Sequence, residues 1–269
     1  MKRYMIVLLA AILILTLGAG CKNKDDNSLK VGMELEFAPF EMTDEKGDPA
    51  GISVDLAYAL GEYLGRDIVI ENMSFSGLLP SLLTSKIDII ISSMTISEER
   101  KEQVDFSEPY AKIYLALLLN KESEAEDFKS LDQQGMTVAV RKGTTGHIYA
   151  EANLKNAKIN VFEKENACVL EVTQGKADAF IYDQMSIYKH FKNNPDTTKA
   201  NLEPFQEDIE GWGIAVRKDD KKLLEEINGF LEKFKSEGGF DALSDKYLSE
   251  EKKAFEELGI NFFFDQGTK

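Results

Sequence analysis

The apolar and polar positions follow two periods in turn. Leu29 to Met33 reads as a strand, and Pro39 with the Asp44-Glu45-Lys46-Gly47-Asp48-Pro49 cluster predicts a hairpin-like excursion after it. Leu56, Leu60, Tyr63 and Leu64 then recur at helical spacing, with Ser53 as the expected N-cap and Gly65 as the stop. Ile68 to Ile70 is a short β-branched strand. Leu78 to Leu83 reads as a helix that tolerates Pro80 in its first turn. Ile87 to Ile91 is a near-continuous apolar run, the signature of a strand buried on both faces, and Ser97 is placed to cap a short charged helix, Glu98 to Gln103. A second set follows: a strand from Met136 to Val140, a helix opened by Gly143-Thr144-Thr145-Gly146, and a strand from Ile159 to Phe162. A helix from Asn166 to Gly175 and a strand from Ala177 to Tyr182 complete it. A last amphipathic helix carries Leu223, Leu224, Ile227, Phe230, Leu231 and Phe234, and Gly238-Gly239 should stop it. Strand and helix in alternation predict an α/β fold with parallel sheets.

Two such sets fit two small sheets better than one. The linking segments fall near Tyr110 to Ala116 and Glu203 to Gly213, so the chain crosses between lobes twice. The expected division is 29–114 with 208–269 for the first lobe and 115–207 for the second. A hinge of two strands invites closure around a ligand in the cleft.

The residues before Leu29 carry an address. Lys2 and Arg3 precede an uncharged apolar run, Met5 to Leu17, too short to span a bilayer comfortably. Gly18-Ala19-Gly20-Cys21 follows, and the whole reads as a secretory signal peptide over 1–20. Cys21 after small residues resembles a bacterial lipobox, although Leu17 lies one place further from it than the usual pattern. Lipidation of Cys21 and a flexible tether over 21–28 are therefore expected, with the folded part outside the cytoplasmic membrane and anchored to it.

Composition removes whole classes of function. The 269 residues hold 32 Lys+Arg against 47 Asp+Glu, and a formal charge of −15 repels phosphate backbones and anionic lipid. Two cysteines and two histidines cannot build a Cys-rich zinc module, a disulfide framework or a three-His site. There is no P-loop, dinucleotide fingerprint, His-Glu-x-x-His or Cys-x-x-Cys, so no metal or cofactor is expected. Cys168 reads as a buried, inert thiol, and His147 and His190 as surface or cap residues.

In open α/β sheets, ligands sit beyond the carboxyl ends of the strands. Glu34 and Phe37 follow the first strand, and Phe75 follows the second. Ser92, Ser93 and Thr95 follow the third, with Arg100 close behind. Arg141 and the Gly143–Gly146 turn follow the fourth, and Asp183 ends the last. That set suits a zwitterion. Arg100 presents a fork matching a carboxylate, the turn offers N–H groups at a positive helix end, and Asp183 can accept from an ammonium. Phe37 and Phe75 can clamp an intervening group. Each residue also has a plain reading: Arg100 as a solvated helix residue, Asp183 as an N-cap, the two phenylalanines as core.

Taken in order, the motifs resemble the extracellular solute-binding proteins of polar amino-acid ABC transporters, with the two-lobe type 2 periplasmic-binding fold. The matching stretches are Val31-Gly32-Met33-Glu34 through Phe40; Gly51 with Val54-Asp55-Leu56; and Phe75 through Pro80. They continue with Ile87-Asp88 through Arg100, Asp105 through Tyr110, Val140 through Gly146, and Gly175 through Ala179 into Asp183. The resemblance spans about 29–250. It implies carboxylate contacts at Arg100, Thr95 and the backbone of Thr145, and amino-group contacts at Ser93 and Asp183. It implies a side-chain pocket of Phe37, Phe75, Glu34, Ser92 and Arg141. It further implies a monomer that binds a free amino acid and hands it to a membrane permease, without a cofactor. Glu34 favours a cationic ligand and Arg141 an acidic or amide one, unless the two pair. Trp212 is either hinge packing or a third aromatic wall. Some relatives on this scaffold are cyclohexadienyl dehydratases, for which Glu34 would be the proton donor; a ligand-sensing partner of a receptor is the third alternative.

Overall fold

The computed structural model describes residues 27–206, 210–262 and 264. The signal peptide, Cys21 and most of the tether, and the 207/208 lobe boundary, lie outside the described residues. No described helix is long and apolar enough to cross a membrane.

Two five-stranded sheets form the cores of two lobes. The first orders its strands as Asp67–Asn72, Ser28–Met33, Ile89–Ile90, Ala215–Arg217 and Val104–Phe106. The second orders them as Lys158–Phe162, Thr137–Arg141, Ala179–Asp183, Leu115–Asn120 and Thr198–Asn201. The sheets are mixed rather than parallel. Ser28–Met33 pairs parallel with both neighbours, whereas Ala215–Arg217 runs antiparallel to both of its own. Likewise Thr137–Arg141 pairs parallel on both sides, and Leu115–Asn120 antiparallel. The reason is topological. Parallel neighbours need a helical crossover within one lobe, but Leu115–Asn120 and Ala215–Arg217 arrive from the other lobe and are free to enter reversed.

Burial on both faces explains the apolar runs. In Leu115–Asn120, Leu115, Leu117 and Leu119 pack with Val138, Val140 and Ile181 on one face. Ala116 and Leu118 pack with Ala139, Phe180 and Tyr182 on the other. Ile89 and Ile90 divide in the same way between two clusters.

Several predicted boundaries move. The helix Ile52–Leu64 is capped by Gly51 at φ 116°, not by Ser53, which is the helix's second residue and has its side chain buried. A Cβ on Gly51 would lie 2.5 Å from the Phe40 carbonyl oxygen, so backbone packing demands glycine there. The next helix starts at Phe75, which moves Pro80 beyond the first turn. The helix predicted from Asn166 starts at Glu165. Gly238 takes a left-handed φ of 76° and ends the helix Lys221–Ser236, but Gly239 opens the next one.

The two crossovers meet as an antiparallel pair, Ala111–Ile113 with Glu210–Trp212. Gly211 and Gly213 flank Trp212 because side chains there would strike the Ala111 carbonyl oxygen and Ile96 at 2.7 and 2.8 Å.

Candidate functional site

The carboxyl ends of the parallel strands in both sheets open on one cleft, whose empty space, open mouth included, is about 470 Å³. All ten residues assigned to a ligand from the sequence line it.

The first lobe supplies Arg100. Ser97 caps the short helix Glu98–Lys101 by accepting from the Arg100 N–H, which fixes where that side chain leaves the backbone. Arg100 is 4% exposed, so the solvated-helix reading fails. Its guanidinium donates to the Thr95 carbonyl and, across the cleft, to the Gly143 carbonyl at 2.8 Å. Ser93 precedes it at φ 48°, a left-handed conformation that costs a non-glycine residue strain and turns its hydroxyl into the cavity lining.

The second lobe supplies a helix end and an acid. Thr144 caps the helix Thr145–Asn153, donating its hydroxyl to the Arg141 carbonyl at 2.7 Å and accepting from the His147 N–H. Gly146 lets that helix end press on the strand Ala179–Asp183; a Cβ would lie 2.5 Å from the Ile181 carbonyl oxygen. Asp183 caps the helix Gln184–Asn193 through Oδ1, 2.9 Å from the Ser186 N–H, and also lines the cavity. Asp183 is therefore an N-cap that also faces the cavity. Burial pushes its carboxyl up to about 6, with Glu165 adding to the rise and the Ser186 N–H opposing it.

Glu34 and Arg141 answer each other. The Arg141 guanidinium forms an ion pair with Glu34 across the cleft, both side chains less than a tenth exposed. Arg141 also donates to the Tyr182 hydroxyl at 2.9 Å and the Glu163 carbonyl at 3.4 Å, with Glu165 at 4.0 Å. Glu34 accepts in addition from the Phe75 N–H at 3.3 Å, at the positive end of the helix Phe75–Leu83. The guanidinium and the N–H both favour the ionised form of Glu34, which counts against the proton-donor role considered for it.

The aromatic groups divide the labour. Phe75 lies 5.7 Å from the guanidinium carbons of both Arg100 and Arg141, a cation–π platform shared by two lobes. Phe37 stacks on Phe40 and meets Tyr182 and Trp212 edge-on, core and wall at once. Trp212 is both hinge packing and cavity lining.

The sequence reading missed Glu41 and Tyr182. Glu41 is 1% exposed and lines the cavity. An acid between Phe40 and Met42 in an apolar stretch was the available signal. Tyr182 was read only as strand. His147 and His190, expected as surface or cap residues, are partly buried near helix ends: His147 accepts from the Gly143 N–H ahead of its helix, and His190, in the last turn of its own, lies 2.5 Å from Glu165. Cys168 is buried, and burial pushes its thiol up to about 12. Among the described residues no His, Cys, Asp and Glu group could hold a metal ion.

Known proteins match this architecture over nearly its whole length. A probable histidine-binding protein of Neisseria gonorrhoeae is 30% identical over 93% of this chain and 97% of its own. The L-arginine-binding protein of Pseudomonas aeruginosa is 31% identical over 83% and 89%. The crystal structure of a mutant of ArgBP from T. maritima superposes with a TM-score of 0.76, 41% identity, and coverage of 83% and 96%. Residues 29–250 match the profile of the bacterial extracellular solute-binding proteins, family 3. The chain belongs to that family, as its motifs and its two-lobe fold led one to expect.

Proposed function

We propose that this protein captures a free amino acid with a cationic side chain outside the membrane, closes its lobes on it and delivers it to an ABC permease. The lobes are 29–114 with 208–269, and 115–207; Cys21 carries the lipid anchor, and the protein acts as a monomer. The ligand carboxylate docks on Arg100, Thr95 and the Thr145 N–H. Its ammonium docks on Ser93 and on Asp183, whose cap occupies one oxygen. The side chain runs past Phe37 and Phe75 toward Ser92 and Glu34.

The observation that carries the cationic reading is that two carboxylates, Glu34 and Glu165, flank the one guanidinium of Arg141. A ligand cation that takes Glu34 leaves Arg141 with Glu165 and the Tyr182 hydroxyl. An anionic side chain would add a third negative group to a buried site, where unpaired charge is costly. The relative named for arginine agrees with this sign.

A thermal-shift screen with the amino acids, ornithine and prephenate tests the reading. A ligand that binds the folded state at about a hundred times its Kd adds about 2.7 kcal/mol to stability. Arginine is expected to give the largest shift, with lysine and ornithine next. A shift with glutamate or glutamine and none with arginine overturns the side-chain assignment. Turnover of prephenate overturns the reading as a binding protein.

A further inference from the structure

One buried acid lining the cavity takes no part in the capture just described. Glu41 lies on the short strand Glu41–Thr43, the central strand of the first lobe's excursion, between Glu36–Phe37 and Pro49–Ala50. Its partners are three hydroxyls: Ser53 at 2.5 Å and Ser93 at 3.1 Å on Oε2, and Ser92 at 3.4 Å on Oε1. No Lys, Arg or His among the described residues forms an ion pair with it. Hydroxyls can donate to a carboxylate or accept from a carboxylic acid, so this cage accommodates either form. A guanidinium cage, such as the one around Glu34, accommodates only the ionised form.

We propose that Glu41 is a positioning residue that sheds a proton when the ligand's ammonium docks on Ser93, so that capture of the amino acid expels a proton to solvent. The inference rests on the reading of Ser93 as an ammonium contact. In the neutral state the Glu41 carboxyl donates to a serine oxygen. An ammonium arriving at Ser93 donates into the Ser93 oxygen, and the Ser93 O–H then points at Glu41 as a donor. The O–H bond of the Glu41 carboxyl breaks, its electron pair stays on the carboxylate, and the proton leaves to buffer. The added positive charge favours the same outcome.

The surroundings set the pH window. Burial pushes the Glu41 carboxyl up to about 8, opposed by the Ser53, Ser93 and Ser92 hydroxyls and reinforced by Asp183. Glu41 in turn helps hold the buried Tyr110 phenol well above its ordinary range, secondary to burial itself, so Tyr110 stays neutral. Glu34, Arg100 and Arg141 line the same cavity, the first and last paired with each other. Asp183, pushed up to about 6, titrates in a lower window, so the two acids are separable by pH.

The test is titration calorimetry in phosphate and in Tris, whose ionisation enthalpies differ, with the amino acid giving the largest thermal shift. Near neutral pH the wild type is expected to release on the order of 0.9 proton per ligand and to bind about fivefold more tightly at pH 8 than at pH 7. Glu41→Gln keeps the hydrogen-bonding shape without the proton; its release is expected to fall to about a tenth of a proton, the share left to Asp183. Ser53→Ala removes a bond that holds the acid down and is expected to move the wild-type pH profile upward, which covers a Glu41→Gln chain that fails to fold. Tight binding by the wild type with no proton released overturns this inference and leaves amino-acid capture standing. Release unchanged in Glu41→Gln, or a profile unmoved by Ser53→Ala, assigns the proton elsewhere and overturns it as well. Failure of every amino acid to bind overturns capture, and this inference with it.

Discussion

Two buried acids of the first lobe line the same cavity and are stabilised in opposite ways. Glu34 meets a guanidinium from the second lobe, whereas Glu41 meets only hydroxyls from its own lobe. A charge answered across a cleft ties its energy to how far the lobes are apart. A charge answered within one lobe keeps its hydrogen bonds whether or not the lobes close, and its energy depends on protons as well. One wall of the cavity thus holds a device sensitive to distance and a device sensitive to pH, a few residues apart in sequence.

The strongest way to break the comparison is at Arg100, whose guanidinium bonds the Thr95 carbonyl of its own lobe and the Gly143 carbonyl of the other. Arg100→Ala leaves a ligand carboxylate buried and unpaired, and is expected to weaken binding by about 3–5 kcal/mol. Calorimetry giving an affinity within threefold of wild type would refute the role of Arg100.

Glu41→Gln sharpens the second half of the comparison through folding stability, measured without added amino acid. The folded-state carboxyl titrates at about 8 against an ordinary value of 4.5. Between those values the folded state binds more protons than the unfolded one, so stability is full below the lower value and falls as pH rises toward the upper. From about pH 4.5 to 7 the wild type is expected to lose about 3 kcal/mol more than Glu41→Gln. Urea titrations at the two pH values measure the difference. Parallel losses in both proteins would place the shifted acid elsewhere. Asp183 loses stability in the same direction over its own lower window, and it cancels because both proteins carry it.

The contrast between these acids also marks what a sequence reveals. Asp183 and the Thr144–Thr145 helix end could be placed on the cavity because they stand at or just beyond strand ends, where chain order fixes position, and Arg100 because the short helix that carries it follows such an end. The sense of the returning strands Leu115–Asn120 and Ala215–Arg217 was not legible, because apolar periodicity is the same in either direction. Ser53 read as a cap because a serine before a helical period usually is one; its hydroxyl serves Glu41 instead, a contact created only when the excursion folds back. The Glu34–Arg141 pair spans 107 residues and two lobes, so spacing could pose the alternatives but not choose between them.

That pair gives the smallest and most specific prediction. Removing one member of a buried ion pair in a single-lobed protein leaves the other stranded, and the loss appears as unfolding. Here the stranded Glu34 has a second exit: the lobes can part and let water reach it. Arg141→Met is therefore expected to leave the melting temperature nearly unchanged while raising the radius of gyration measured by small-angle scattering without added amino acid. Glu34→Gln should do the same, with Arg141 retaining Glu165 and Tyr182 and the effect correspondingly weaker. In the double variant neither charge calls for water, so the lobes should close again. A double-mutant cycle on the open fraction is expected to give a coupling of about 1–3 kcal/mol. Glu41→Gln, whose partners all lie in one lobe, should leave the radius of gyration unchanged. If it opened the lobes as far as Arg141→Met does, pairing across the cleft would not be what distinguishes the two acids.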